Sequence, residues 1–86
     1  MKVIISPRAE KQLKKVGRTA QIILTSRLEE LTRTLLGEEK LSGYRSMYRI
    51  RVGDYRIVYE RTGARVFVVS IGHRKEIYHL MRELLK

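Results

Sequence analysis

Between Met47 and Ile71 the chain is written in a two-residue period, and this pattern restricts the fold more than any other feature. β-branched and aromatic residues recur, and Gly53-Asp54 and Thr62-Gly63 divide the stretch into the three strands of an antiparallel meander. With glycine leading a two-residue loop, as a type II′ turn wants, Val52 opposes Tyr55, Arg51 opposes Arg56 and Arg49 opposes Val58. That register sorts the side chains. Tyr48, Ile50, Val52, Tyr55, Ile57 and Tyr59 make one apolar face suited to packing beneath helices, while Arg49, Arg51 and Arg56 point the other way.

The flanks supply the helices. Lys2 to Ser6 reads as a short strand, with Ser6 as an N-cap and Pro7 at the first helical position, where its missing N–H is harmless. A helix from Pro7 to about Val16 is expected, ended by Gly17. A second is expected to be capped by Thr19, to carry the stripe Leu24, Leu28, Leu31 and Leu35, and to stop at Gly37. Residues 38 to 46 show no period and read as a polar connection. Lys75 to Leu85 returns to helical spacing through Ile77, Leu80, Met81 and Leu84. The expected fold is α+β, in the order β-α-α-β-β-β-α. A helical hairpin packs on one face of a small, mostly antiparallel twisted sheet, with a C-terminal helix after it, all in one domain spanning residues 1–86.

Charge then points to a partner. Nineteen Lys and Arg against nine Asp and Glu give a net charge of +10, with net +3 up to residue 39 and net +7 from residue 40 onward. Most of the cations are arginines, whose planar fork suits phosphate. Like charges facing each other across a sheet cost up to about 1 kcal/mol, so Arg51 opposite Arg56 gains the fold nothing and leaves room for an anion. His73, Arg74 and Lys75 follow the last strand at the start of the final helix, where backbone N–H groups also favour an anion. Tyr78, three residues after Lys75, is placed to reach the same concavity. Tyr48, Tyr55 and Tyr59 belong to the core, and Arg65 and Arg82 to the surface. Arg61 is open between surface and site, and Tyr44 between stacking on a base and covering the sheet edge. With no cysteine and two histidines, a structural zinc site has no ligand set. The opening apolar run is too short for a signal peptide or a span, so a cytoplasmic location is expected, without membrane association.

Four segments, Lys40-Leu41-Ser42-Gly43-Tyr44, Tyr48-Arg49-Ile50-Arg51-Val52, Gly53-Asp54-Tyr55-Arg56-Ile57-Val58-Tyr59 and Ile71-Gly72-His73-Arg74-Lys75-Glu76-Ile77-Tyr78, together resemble the RelE/ParE superfamily of toxins, specifically its RelE branch. The likeness covers essentially the whole chain. It implies a toxin of a type II toxin–antitoxin system, a ribosome-dependent mRNA endonuclease that cuts the codon in the A site without a metal or other cofactor. It also implies a RelB-like antitoxin, acidic and partly disordered, and binding of operator DNA only as the toxin–antitoxin complex. The family's two basic strand residues match Arg49 and Arg51, its next-strand arginine Arg56, the arginine after the last strand Arg74, and the helix tyrosine Tyr78.

The chemistry the resemblance implies is attack of a ribose 2′-hydroxyl on its own 3′-phosphate. The four arginines suit charge neutralisation in the transition state, with Arg74 at the leaving group, Tyr78 positioning the nucleotide, and Lys75, Arg45 and Tyr44 contacting RNA. The general base stays open among His73, a ribosomal group and solvent, because guanidinium gives up a proton too reluctantly. Two other functions fit the charge: a ParE-like inhibitor of DNA gyrase, and a non-catalytic basic module that binds nucleic acid.

Overall fold

The computed structural model describes residues 1–84, running β1 (Lys2–Ile5), α1 (Pro7–Lys15), α2 (Arg18–Glu30), β2 (Glu39–Lys40), β3 (Met47–Val52), β4 (Tyr55–Thr62), β5 (Arg65–His73) and α3 (Ile77–Leu84). The strands form one mixed sheet in the order β1-β5-β4-β3-β2, with β1 parallel to β5 and every other pair antiparallel. The fold is α+β, as the sequence indicates, and no helix among the described residues is long and apolar enough to cross a membrane.

The first corner forms as its residues dictate. Ser6 Oγ accepts from the Ala9 N–H at 3.1 Å, and Pro7 occupies the first helical position. The β3–β4 register is the expected one, Val52 opposite Tyr55 through Met47 opposite Glu60. Gly53 stands at φ 59 while Asp54 keeps a negative φ, the combination of a type II′ turn.

Four expectations are corrected. Gly17, not Thr19, is the N-cap of α2, because its carbonyl already accepts from the Gln21 N–H at 2.9 Å and the helix begins at Arg18. Helix α2 ends at Glu30 rather than near Gly37: Thr32 Oγ1 donates to the Glu29 carbonyl at 2.7 Å and Thr34 Oγ1 accepts from the Leu36 N–H at 3.1 Å, so both hydroxyls compete for the backbone. The connection between α2 and the sheet contains β2, which pairs Glu39 with Arg49 and Lys40 with Tyr48. Helix α3 begins two residues later than expected, at Ile77. The side chain of Leu84, and Leu85, lie outside the described residues.

Two apolar clusters cover the two faces of the sheet. Beneath α1 and α2, Ala9, Leu24, Leu28 and Leu31 pack on Ile50, Ile57, Tyr59, Val66, Val68 and Ile71. On the opposite face Ile77 and Met81 of α3 pack against Leu41, Met47 and Val58. Each such fully buried side chain contributes roughly 1.5–3 kcal/mol. Gly72 makes the approach of α3 possible, because a Cβ there would meet Ile77 Cδ1 at 3.2 Å.

One irregularity decides which side chains of the last strand reach which face. β5 carries an extra residue at Val69, since Tyr59 pairs with Val68 and Val58 with Ser70. Helix α1 and its cap hold this bulge in place. Ser6 Oγ donates to the Val69 carbonyl at 3.1 Å, and Gln12 Oε1 accepts from the Ile71 N–H at 2.7 Å and from Ser70 Oγ at 3.1 Å.

Candidate functional site

The face of the sheet beside α3 collects five of the residues named from sequence. Arg49 and Arg51 project from β3, and Arg56 stands opposite Arg51 on β4. Arg74 follows β5 and is tied to the β3–β4 turn: its N–H donates to the Asp54 carbonyl at 2.7 Å and its Nε lies 3.8 Å from the Asp54 carboxylate. Tyr78, in the first turn of α3, accepts a hydrogen bond from the Arg49 guanidinium, whose Cζ lies 5.4 Å from the ring centroid.

Their environments differ. Arg56 is nearly buried, and one of its amino groups donates to the carbonyls of Gly53 at 2.9 Å and Tyr55 at 2.8 Å. It therefore braces the turn that spaces the cluster. Arg51 and Arg74 are more than half exposed, with side-chain accessibilities of 58% and 55%. Arg49 is half-covered. Burial works against its charge, but the hydrogen bond to Tyr78 and the attraction of Glu39 outweigh that, and its pKa is raised above the ordinary guanidinium value. It stays a cation, which suits phosphate and rules it out as a base.

The residue that sequence reasoning missed is Glu39. From β2 its carboxylate reaches Arg51 Nε at 3.1 Å and Arg49 Nη2 at 3.4 Å. The adjacent acids Glu38 and Glu39 before the Lys40-Leu41-Ser42-Gly43 segment were the available signal, but only strand pairing shows which of them faces the arginines. Exposed pairs of this kind contribute about 0–1 kcal/mol. An incoming phosphate can therefore displace Glu39 from either arginine.

The other named residues fall elsewhere. His73 stands opposite Tyr55, its ring edge-on at 5.9 Å, and its Nδ1 accepts from the Lys75 N–H at 3.2 Å. It lines a groove of about 580 Å³ with Gln12, Lys15, Tyr55 and Glu76 on the side of α1, away from the arginines. The bulge is the reason. If the same residues paired regularly from Tyr59 opposite Val68, without a bulge, Arg56 would oppose Ile71 and His73 would share the arginine face; the bulge at Val69 turns Ile71 and His73 over. Lys75, next to Arg74 in sequence, and Arg45 are exposed. Tyr44 is partly buried against Leu41, Met47 and Val58, so it covers the sheet edge. Arg61, left open by the sequence, belongs to the opposite face, where it forks onto Glu38 at 3.0 and 3.1 Å.

Comparison with known proteins places this geometry in a family. The family model described as ParE toxin of type II toxin-antitoxin system, parDE, matches residues 3–78. Toxin RelE3 of Methanocaldococcus jannaschii is 48% identical over 40 residues, 46% of either chain, so the match spans less than half the length of that curated relative. The intact E. coli RelBE toxin–antitoxin complex superposes with a TM-score of 0.69 at 31% identity, covering 84% of this chain and 94% of that one. The RelB–RelE antitoxin–toxin complex of Methanococcus jannaschii gives 0.68 at 29%, covering 90% and 96%. A mutant of E. coli toxin RelE in the free state gives 0.72 at 28%, covering 99% and 97%.

Proposed function

Since the chain belongs to the RelE/ParE superfamily of type II toxin–antitoxin toxins, in its RelE-like branch, we propose that it is an endoribonuclease that cuts mRNA in the ribosomal A site. One observation carries this reading: Arg49, Arg51, Arg56, Arg74 and Tyr78, scattered over thirty positions of sequence, converge on one open face at the end of the β3–β4 hairpin.

The reaction is in-line attack of a 2′-oxygen on the adjacent phosphorus, with departure of the 5′-oxygen of the next nucleotide. Arg49 and Arg51, two residues apart on one strand, present guanidinium groups to the phosphate oxygens, which gain charge as the five-coordinate state forms. Arg56 adds charge from the next strand. Arg74, on the far side of the hairpin tip, stabilises the departing oxygen, and Tyr78 positions the nucleotide against Arg49. Lys75 and Arg45 extend the positive surface along the RNA.

The inactive state arises on the same surface. We extend to this chain a RelB-like antitoxin, acidic and partly disordered before binding, which competes for the exposed arginines and is steered to them by charge. Operator DNA is bound by the pair. A cytoplasmic location accompanies ribosomes and mRNA as partners.

The test is direct. Purified chain is added to ribosomes programmed with a defined mRNA, new 5′ ends are mapped by primer extension, and gyrase supercoiling is measured in parallel. In-frame cuts that vanish when the attacking nucleotide is 2′-deoxy are the expected result. Inhibition of supercoiling with intact mRNA would transfer the chain to the ParE-like reading. Salt-sensitive RNA binding without cutting would make it a non-catalytic module.

A further inference from the structure

We propose that Glu39 is the general base of this site, taking the proton from the attacking ribose 2′-hydroxyl. The inference rests on the proposed cutting of mRNA and supplies the proton acceptor that the arginines cannot be.

The geometry first removes the other candidates. Arg49 is held as a cation by Tyr78 and Glu39. The Tyr78 hydroxyl accepts a hydrogen bond from Arg49. His73, the candidate offered by the sequence, sits on the opposite side of the sheet beside Tyr55. Asp54 lies at the hairpin tip on Arg74, 3.8 Å away, at the end assigned to the leaving group. Among the described residues, Glu39 is the carboxylate that contacts the two β3 arginines, at 3.1 and 3.4 Å.

Position completes the case. A carboxylate bridging two guanidinium groups occupies the place of a phosphate's oxygens. When a phosphate enters, it displaces Glu39 from one guanidinium and leaves it on the other, beside the phosphate. The 2′-hydroxyl is attached one carbon from the 3′-oxygen, so it reaches the same neighbourhood. Glu39 is about half exposed, with side-chain accessibility of 45%, and each of its oxygens keeps a lone pair beyond its arginine contact. The groups facing it are Arg49 and Arg51 from β3, with Tyr78 of α3 behind Arg49.

The step balances without a co-reactant. The O2′–H bond breaks and its proton goes to Glu39. The O2′–P bond forms as the P–O5′ bond breaks, and O5′ takes a proton from water beside Arg74. Glu39 returns its proton to solvent, leaving a 2′,3′-cyclic phosphate and a 5′-hydroxyl.

The experiment compares the unaltered chain with Glu39→Gln, Glu39→Asp and Asp54→Asn, in single-turnover cutting on programmed ribosomes over a range of pH, alongside ribosome binding. Glu39→Gln is expected to cut about 10²- to 10⁴-fold more slowly while binding at least as well, as loss of a general base requires. It also loses the acid limb of the pH–rate profile, and Glu39→Asp keeps part of both the rate and the limb. A merely structural carboxylate would not move that limb. Cutting by Glu39→Gln at the unaltered rate or faster overturns the proposal, as does loss of the acid limb in Asp54→Asn instead. No cutting by the unaltered chain overturns the functional reading and the base with it.

Discussion

Two neighbouring glutamates, Glu38 and Glu39, each hold an arginine beside a tyrosine, on opposite faces of the sheet and in opposite styles. Glu38 takes Arg61 in a two-pronged contact at 3.0 and 3.1 Å, accepts from the Tyr59 hydroxyl at 2.6 Å, and lies under an Arg61 stacked 4.5 Å over Tyr48. Glu39 touches Arg49 through one oxygen at 3.4 Å and shares itself with Arg51, while the buried Arg49 Nε–H has no hydrogen-bond partner among the described residues. A satisfied, sheltered network holds a fold rigid. A half-satisfied and open one costs stability, and proteins keep such clusters where a ligand completes them.

The comparison fails first if the open arginines matter to folding. Arg51→Ala and Arg74→Ala should each lower the cutting rate about 10²- to 10³-fold in the programmed-ribosome assay. Their unfolding free energies, from urea titration, should stay within about 0.5 kcal/mol of the parent. Arg51→Ala should err on the stabilising side, because it removes a like-charge pair with Arg56.

Arg61→Ala should do the reverse. It breaks charged hydrogen bonds that are sheltered but not sealed, so a loss of about 2 kcal/mol is expected. For a chain of this size that lowers the melting temperature by roughly 10 °C in calorimetry. The rate of cutting per folded molecule should be unchanged.

Alkaline titration sharpens the contrast. Burial, and then the hydrogen bond to Glu38, raise the Tyr59 pKa above its usual value of about 10. The folded-state value exceeds the unfolded one, so the stabilisation is complete below about pH 10 and is lost as pH climbs from there toward the folded pKa. Tyr59→Phe should remove up to about 1.4 kcal/mol per pH unit from that alkaline slope. The smallest effect belongs to Ser6→Ala, about 1 kcal/mol from the lost cap, measured by the same urea titration.

How far the sequence carried can be judged at particular residues. Gly53-Asp54 specified the β3–β4 register because turn type and alternation are both local. Ser6-Pro7 marked the start of α1 for the same reason. The two-residue strand β2 was illegible, since nothing in Glu39-Lys40 has a period, and its existence depends on β3 lying beside it. The end of α2 was missed because Leu31 and Leu35 continue the apolar stripe, while Thr32 and Thr34 redirect the backbone. Strand alternation gathered Arg49, Arg51 and Arg56 on one face, and the turn and helix after β5 added Arg74 and Tyr78, but neither pattern found the acid among them.

The extra residue at Val69 acts on β5 as a frameshift acts on a message: everything upstream keeps its phase and everything downstream is inverted. Flattening the bulge with every residue kept would swap Ile71 out of the hydrophobic layer and carry His73 across to the cationic side, whereas deleting the extra residue would leave both on their present faces. The partition of this strand between scaffold and chemistry is thus set by one bulge, which Ser6 and Gln12 hold in place.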